Sequence, residues 1–219
     1  MVGWRLAEGD DWRVAVAAAA FLASLPGILG PVVSIPVQTD LPATALSVCG
    51  VALVSLGHPA AIVAGVLVVM VAATMRETAP VWAALWAWSP WLLVALVVPF
   101  VAALVRRPGP DPLGDRFQTI ADHPVRSALA FHDGRWRDGW LMVAPWGVTL
   151  AALVRPSVPL VVTLVAAYGL LLVATDSVRL YQCAAGPAMA AAAATVIPLP
   201  WLLLAVVVHA VWWRTPERV

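Results

Sequence analysis

Thirty-five consecutive residues, Leu41 to Met75, contain no Asp, Glu, Lys or Arg. A single α-helix of that length would reach about 52 Å at about 1.5 Å per residue. A bilayer hydrocarbon core is only about 30 Å thick, and so apolar a helix keeps no face for water. The stretch has to fold back on itself, and Gly57-His58-Pro59 supplies the helix-breaking residues where it can.

Similar apolar blocks fill most of the chain: Val14–Val37, Ala79–Val105 with Pro90 and Pro99 inside it, Trp140–Val154, Val158–Thr175, and Cys183–Trp213. The last runs for 31 residues and meets the same length objection, with Pro198-Leu199-Pro200 as its break. Hydrophobic residues make up 62% of the chain and charged ones 11%, against about 25% charged in an ordinary soluble domain. The expected fold class is all-α: a polytopic transmembrane helix bundle of about eight spans, or seven if Cys183–Trp213 is one. Several of these spans hold only about 15 to 17 apolar residues, so re-entrant segments or a locally thinned bilayer are expected at one or two of them.

Between Arg106 and Asp138 the sequence changes character, with six Arg and five Asp. This divides the chain into an N-terminal membrane half (1–105, about four spans), a loop (106–139) and a C-terminal membrane half (140–219, three or four spans). Residues 1–13 carry two Arg and three acids and lead into a run without a small-residue cleavage site, which predicts an uncleaved first span. With the N-terminus inside and eight spans, eleven arginines are cytoplasmic and two, Arg76 and Arg155, are outside; a single final span worsens this to nine against four. The predicted localisation is therefore the cell membrane, with the N-terminus, the 106–139 loop and the C-terminus cytoplasmic. In this topology Trp82, Trp86, Trp88, Trp91 and Trp201 group toward the outer interface, Trp4, Trp12, Trp136, Trp140, Trp212 and Trp213 toward the inner one, and Trp146 alone falls mid-span.

One segment is written twice. PWLLVALVV (90–98) and PWLLLAVVV (200–208) agree at seven of nine positions, and each runs on into an Arg-Pro cluster, RRP at 106–108 and RTP at 214–216. Two four-helix halves related by an axis along the membrane normal would place the copies equivalently, as in some transporters. Chance resemblance between Leu-, Val- and Ala-rich segments is the competing explanation.

Several functions are excluded or disfavoured. The chain has no lysine, so no Schiff base to retinal or pyridoxal phosphate can form. A net charge of +1 points to no nucleic acid partner. Cys49 and Cys183 lie inside apolar runs and read as packing residues. No phosphate loop, nucleophile elbow or HExxH segment occurs, and no cofactor is implied.

Small residues at four-residue spacing, Ala15, Ala19 and Ala23 in one block and Ala184, Ala188 and Ala192 in another, form faces for close helix packing within the chain or against a partner subunit. A further stripe is Gly186, Ala190 and Ala194. In the loop, Leu113, Phe117 and Ile120, then Val125, Ala128 and Leu129, fall at helical spacing with Arg116 and Arg126 placed for anionic headgroups, the pattern of short interfacial amphipathic helices. Asp122, His123, His132 and Asp133 are the one place where potential metal ligands gather in the sequence, at spacings that match no ligand set; a surface loop is the better reading. Asp176 and Arg179 are three apart and suit pairing or capping at an inner interface, and His209 is the deepest ionisable residue, near a span end where a backbone carbonyl or water can satisfy it.

Three classes of function remain. The first is a non-catalytic integral membrane subunit or scaffold whose partners are the lipid bilayer and other membrane subunits or copies of itself. The second is a small-solute permease or substrate-binding transport subunit. The third, an enzyme on a lipid-soluble substrate, has only the Asp-His loop behind it. Coupled transport generally needs a carboxylate near the midplane, and every Asp and Glu falls in a loop or at a span end. The charge distribution therefore favours the subunit reading.

Overall fold

The computed structural model describes residues 19–20, 22–24, 40–105, 143–170 and 178–212, and among these residues every element is helical and no strand occurs. The charge-free stretch divides at the expected hinge into α1 (Asp40–Ser55) and α2 (Pro59–Met75). Gly57 takes a left-handed φ of 71°, open to glycine without steric cost. His58 is extended, and its Nδ1 accepts from Ala60 N at 3.2 Å while Pro59 opens α2. Proline suits that position because its missing N–H would have had no helical partner.

The hairpin closes tightly. A Cβ on Gly50 would lie 2.8 Å from Gly65 O and run into Val69 Cγ2, and one on Gly65 would lie 2.6 Å from Gly50 O and 2.7 Å from Val54 Cγ2. Glycine at both positions is what lets the two backbones meet. At the open end, Arg76 Nη1 pairs with Asp40 Oδ1 at 3.1 Å.

After this hairpin comes a short helix, α3 (Ala79–Ala87). It stops at Trp88, which holds the left-handed conformation at φ 51° and ψ 43°, while Ser89 N donates back to Ala84 O at 3.0 Å. Such a stop usually falls to glycine, and a residue with a Cβ gives up about 1 to 2 kcal/mol there. Pro90 then starts a 3₁₀ segment, Pro90–Leu96, which runs directly into α4 (Val97–Val105). Pro99 does not interrupt α4; it sits where the bonding changes from 3₁₀ to α.

The C-terminal elements are a 3₁₀ segment Ala144–Val154, α5 (Val158–Gly169), α6 (Val178–Val196) and α7 (Leu199–Trp212). Gly147, at φ 50° and ψ −128°, breaks the first of these. Ser157 Oγ accepts from Leu160 N at 3.4 Å and starts α5. The long C-terminal block breaks at Ile197–Pro198, next to the prolines that predicted it.

One continuous core joins both sides of the 106–139 segment: Val51, Val69, Trp82, Trp86 and Leu92 pack in the same cluster as Trp146, Leu160, Tyr181, Met189 and Leu202. α3 is central, touching α1, α2, the Pro90–Leu96 segment, α5 and α6. Trp82 and Trp86 are accordingly buried, because the helix that carries them packs against five other elements. α6 is buried around its whole circumference from Ala184 to Ala194, and alanine supplies most of it.

Outside, the distribution inverts. Long apolar side chains are exposed on nearly every element, including Leu67 and Val71 on α2, Phe100 and Leu104 on α4, Val158 and Val165 on α5, and Leu203 and Leu204 on α7. Among the described residues no helix is both long enough and apolar enough to cross a membrane.

Candidate functional site

Buried polar side chains lie along α1, with Asp40, Thr44 and Ser47, and where Ala144–Val154, α5 and α6 meet, and at the second place they join across elements. Trp146 is buried just before the break at Gly147, and after it the 3₁₀ geometry, which stacks every third residue, puts Thr149 and Ala152 on one inward line. On α5 the inward face is Leu160, Thr163 and Ala167, with Tyr168 beside it. α6 contributes Tyr181 and Gln182, both fully buried.

These residues engage one another. Trp146 Nε1 donates to Tyr168 Oη at 2.8 Å. The rings of Tyr168 and Tyr181 stack with centroids 5.1 Å apart and planes 19° apart, and Trp146 meets Tyr181 at 5.3 Å. Thr149 Oγ1 donates to Trp146 O. Nearby on α6, Ala184 O accepts from Trp86 Nε1 at 2.7 Å. Pro187, inside the same helix, has no N–H to give the carbonyl four residues back, that of Cys183; the indole bond falls on the neighbouring carbonyl of that turn. Thr163 Oγ1 is fully buried with no hydrogen-bond partner among the described residues. A buried hydroxyl left so costs about 1 to 3 kcal/mol.

Chemically this is a set of neutral donors and acceptors: indole N–H, phenol, hydroxyl and amide. It can fix the register of three elements or hold a neutral polar molecule. It contains no carboxylate, imidazole or amine. Among the described residues no three His, Cys, Asp or Glu side chains gather to hold a metal ion.

Ala184, Ala188 and Ala192 lie in the core, so their small side chains serve packing within this chain. Ala19 and Ala23 are exposed helical residues. Ala15, the interfacial-loop residues Leu113, Arg116, Phe117, Ile120, Arg126 and Leu129, and Asp122, His123, His132, Asp133 and Asp176 lie outside the described residues. Arg179 and His209 fall on α6 and α7, and their side chains are outside the described set.

The sequence pattern did not single out Tyr168, Tyr181, Gln182, Gly50 or Gly65. A signal existed for the first two: they are the only tyrosines in the chain, and a phenol buried in an apolar bundle needs a partner. No protein family model matches the chain, and neither does any curated protein or solved structure.

Proposed function

We propose that this chain is a multi-pass membrane protein acting as a non-catalytic subunit or scaffold of a larger membrane assembly. The observation that carries the reading is the apolar surface: large aliphatic and aromatic side chains are exposed on nearly every element, although the interior already holds a core of Trp, Leu, Val and Ala. Monomeric soluble proteins rarely expose contiguous apolar patches beyond a few hundred Å². Asp40, His58, Arg76, Glu77 and Arg155 stand at element ends, where headgroups and water would meet them; Arg179 opens α6, and His209 lies in the last turn of α7.

Length is compatible with a thin bilayer. Pro90–Val105 combines seven 3₁₀ residues with nine α residues and so reaches about 28 Å at rises of about 2.0 and 1.5 Å. α2, with 17 residues, reaches about 26 Å. α3 is far shorter and, buried at the centre, suits a re-entrant element. The orientation in keeping with the arginines has the N-terminus, residues 106–139 and the C-terminus in the cytoplasm; the Asp40–Arg76 pair agrees with both residues lying at the outer side.

A second reading, a small-solute permease without a coupling carboxylate, draws on the backbone breaks at Trp88–Ser89 and Gly147 and on the buried Thr163 hydroxyl. Discontinuous helices with internal polar groups are where membrane transporters bind solutes.

Membrane fractionation followed by mild-detergent purification tests both. The expected result is a protein that resists alkaline carbonate extraction and elutes with stoichiometric partners or further copies of itself. Release by carbonate would remove the membrane assignment. A homogeneous monomer that binds a neutral solute would replace the subunit reading by the permease.

A further inference from the structure

The doubled segment can be compared position by position. Trp91 is 60% exposed and Trp201 64%; Leu92 and Leu202 are both 0%; Val94 is 52% and Leu204 50%; Ala95 is 0% and Ala205 5%. Each copy buries Leu and Ala, three apart, in the core, leaves Leu96 or Val206 half-buried, and exposes the Trp, the two aliphatic residues between Leu and Ala, and the following Val. The correspondence extends upstream, since each copy follows a buried helical stretch and a two-residue break, Ala79–Ala87 with Trp88–Ser89 before the first and the alanine-rich end of α6 with Ile197–Pro198 before the second. Chance similarity of two apolar nonapeptides would not reproduce the burial of each position and of the flanking element.

We infer that Pro90–Val98 and Pro200–Val208 are two copies of one lipid-contact unit, entering the same leaflet from the same side with Trp91 and Trp201 at a common headgroup depth. This rests on the membrane reading above. The occupant of both outward faces is phospholipid. Along each copy an indole comes first and aliphatic side chains follow, the order of an interface and then a hydrocarbon layer. The sequence after each copy turns basic, with Arg106 and Arg107 after the first and Arg214 after the second, a charge complementary to anionic headgroups of the opposite leaflet. The outward arc is also broad: only Leu92 and Ala95, or Leu202 and Ala205, are buried. Solvating chains fit such an arc better than a single docked helix, which needs one stripe.

Nitroxide labels at six exposed positions, 91, 94 and 97 in one copy and 201, 204 and 207 in the other, in a Cys49→Ala/Cys183→Ala background of the full chain in phosphatidylglycerol-containing proteoliposomes, test this by oxygen and nickel-chelate accessibility. The expected result is a matched depth for 91 and 201 and a gradient of the same sign in both copies, about 6 Å from the first label to the second in the 3₁₀ copy and about 4.5 Å in the α copy. Opposite depth gradients, or one copy shielded from oxygen while its twin is not, would overturn the inference and leave the membrane reading standing. Nickel access at all six positions, unchanged by lipid, would remove both. A cysteine-intact check uses Trp91→Phe and Trp201→Phe with lipids brominated near the headgroup or mid-chain: each variant should lose a similar share of shallow-quenched emission, and loss of deep-quenched emission from one alone counts against the inference.

Discussion

Two segments that agree at seven of nine positions and share an inward face differ in backbone: the first copy is 3₁₀ from Pro90 to Leu96, and the second lies within the α-helix Leu199–Trp212. The residue that bears on this difference is the one just after the repeat, Pro99 in the first and His209 in the second. Proline offers no N–H to the carbonyl four residues back, here Ala95, and its ring crowds that oxygen. The carbonyls before it turn to nearer donors, and Val97 N reaches Val94 O and Ala95 O. His209 keeps its N–H, and the second copy stays α-helical. Burial survives the change because a Leu-Ala pair three apart faces one way in either helix. Side-chain order fixes which face is inward; a single proline fixes the rise per residue.

The comparison can be broken at its anchors first. Leu92→Ala and Leu202→Ala should each cost about 2 to 5 kcal/mol, read as Tm in detergent, and a large loss in one with none in the other would deny the copies equivalent roles. Overpacking comes next: Ala95→Leu and Ala205→Leu should each cost about 1 to 3 kcal/mol, as should Ala188→Leu on the enclosed α6. Trp86→Phe tests the bond between the buried helices that precede the two copies, and should cost about 1 to 2 kcal/mol by removing the donor to Ala184 O. The smallest effect sharpens the difference itself. Pro99→His should convert Pro90–Leu96 to α bonding and shorten it by about 3.5 Å over its seven residues, measurable as a spin-label distance; an unchanged distance would clear Pro99 of responsibility.

Proline and glycine made the breaks legible. Gly57-His58-Pro59 and the Pro198 region both announced where helices end, and both do end there. Which apolar residues face inward was harder, because hydropathy weighs a Trp in the core and a Trp at an interface alike. Trp82 and Trp86 share an expected depth with Trp91 and Trp201, and only the packing of the short α3 separates the buried pair from the exposed one. The alanine stripes of α6 were visible at four-residue spacing, yet the helix is enclosed on every side, which no single stripe conveys. Tyr168, Tyr181 and Gln182 escaped because they carry no periodic pattern; their meeting depends on the packing of α5 against α6.

The crossing of Gly50 and Gly65 has a mechanical consequence. With carbonyls where a methyl would have to pass, α1 and α2 cannot slide along each other, and the turn at Gly57 and the Asp40–Arg76 pair hold the two ends of the same rod. The hairpin is therefore tied at its crossing and at both ends, whereas Trp88–Ser89, Gly147 and Ile197–Pro198 are backbone breaks with no such tie between glycines.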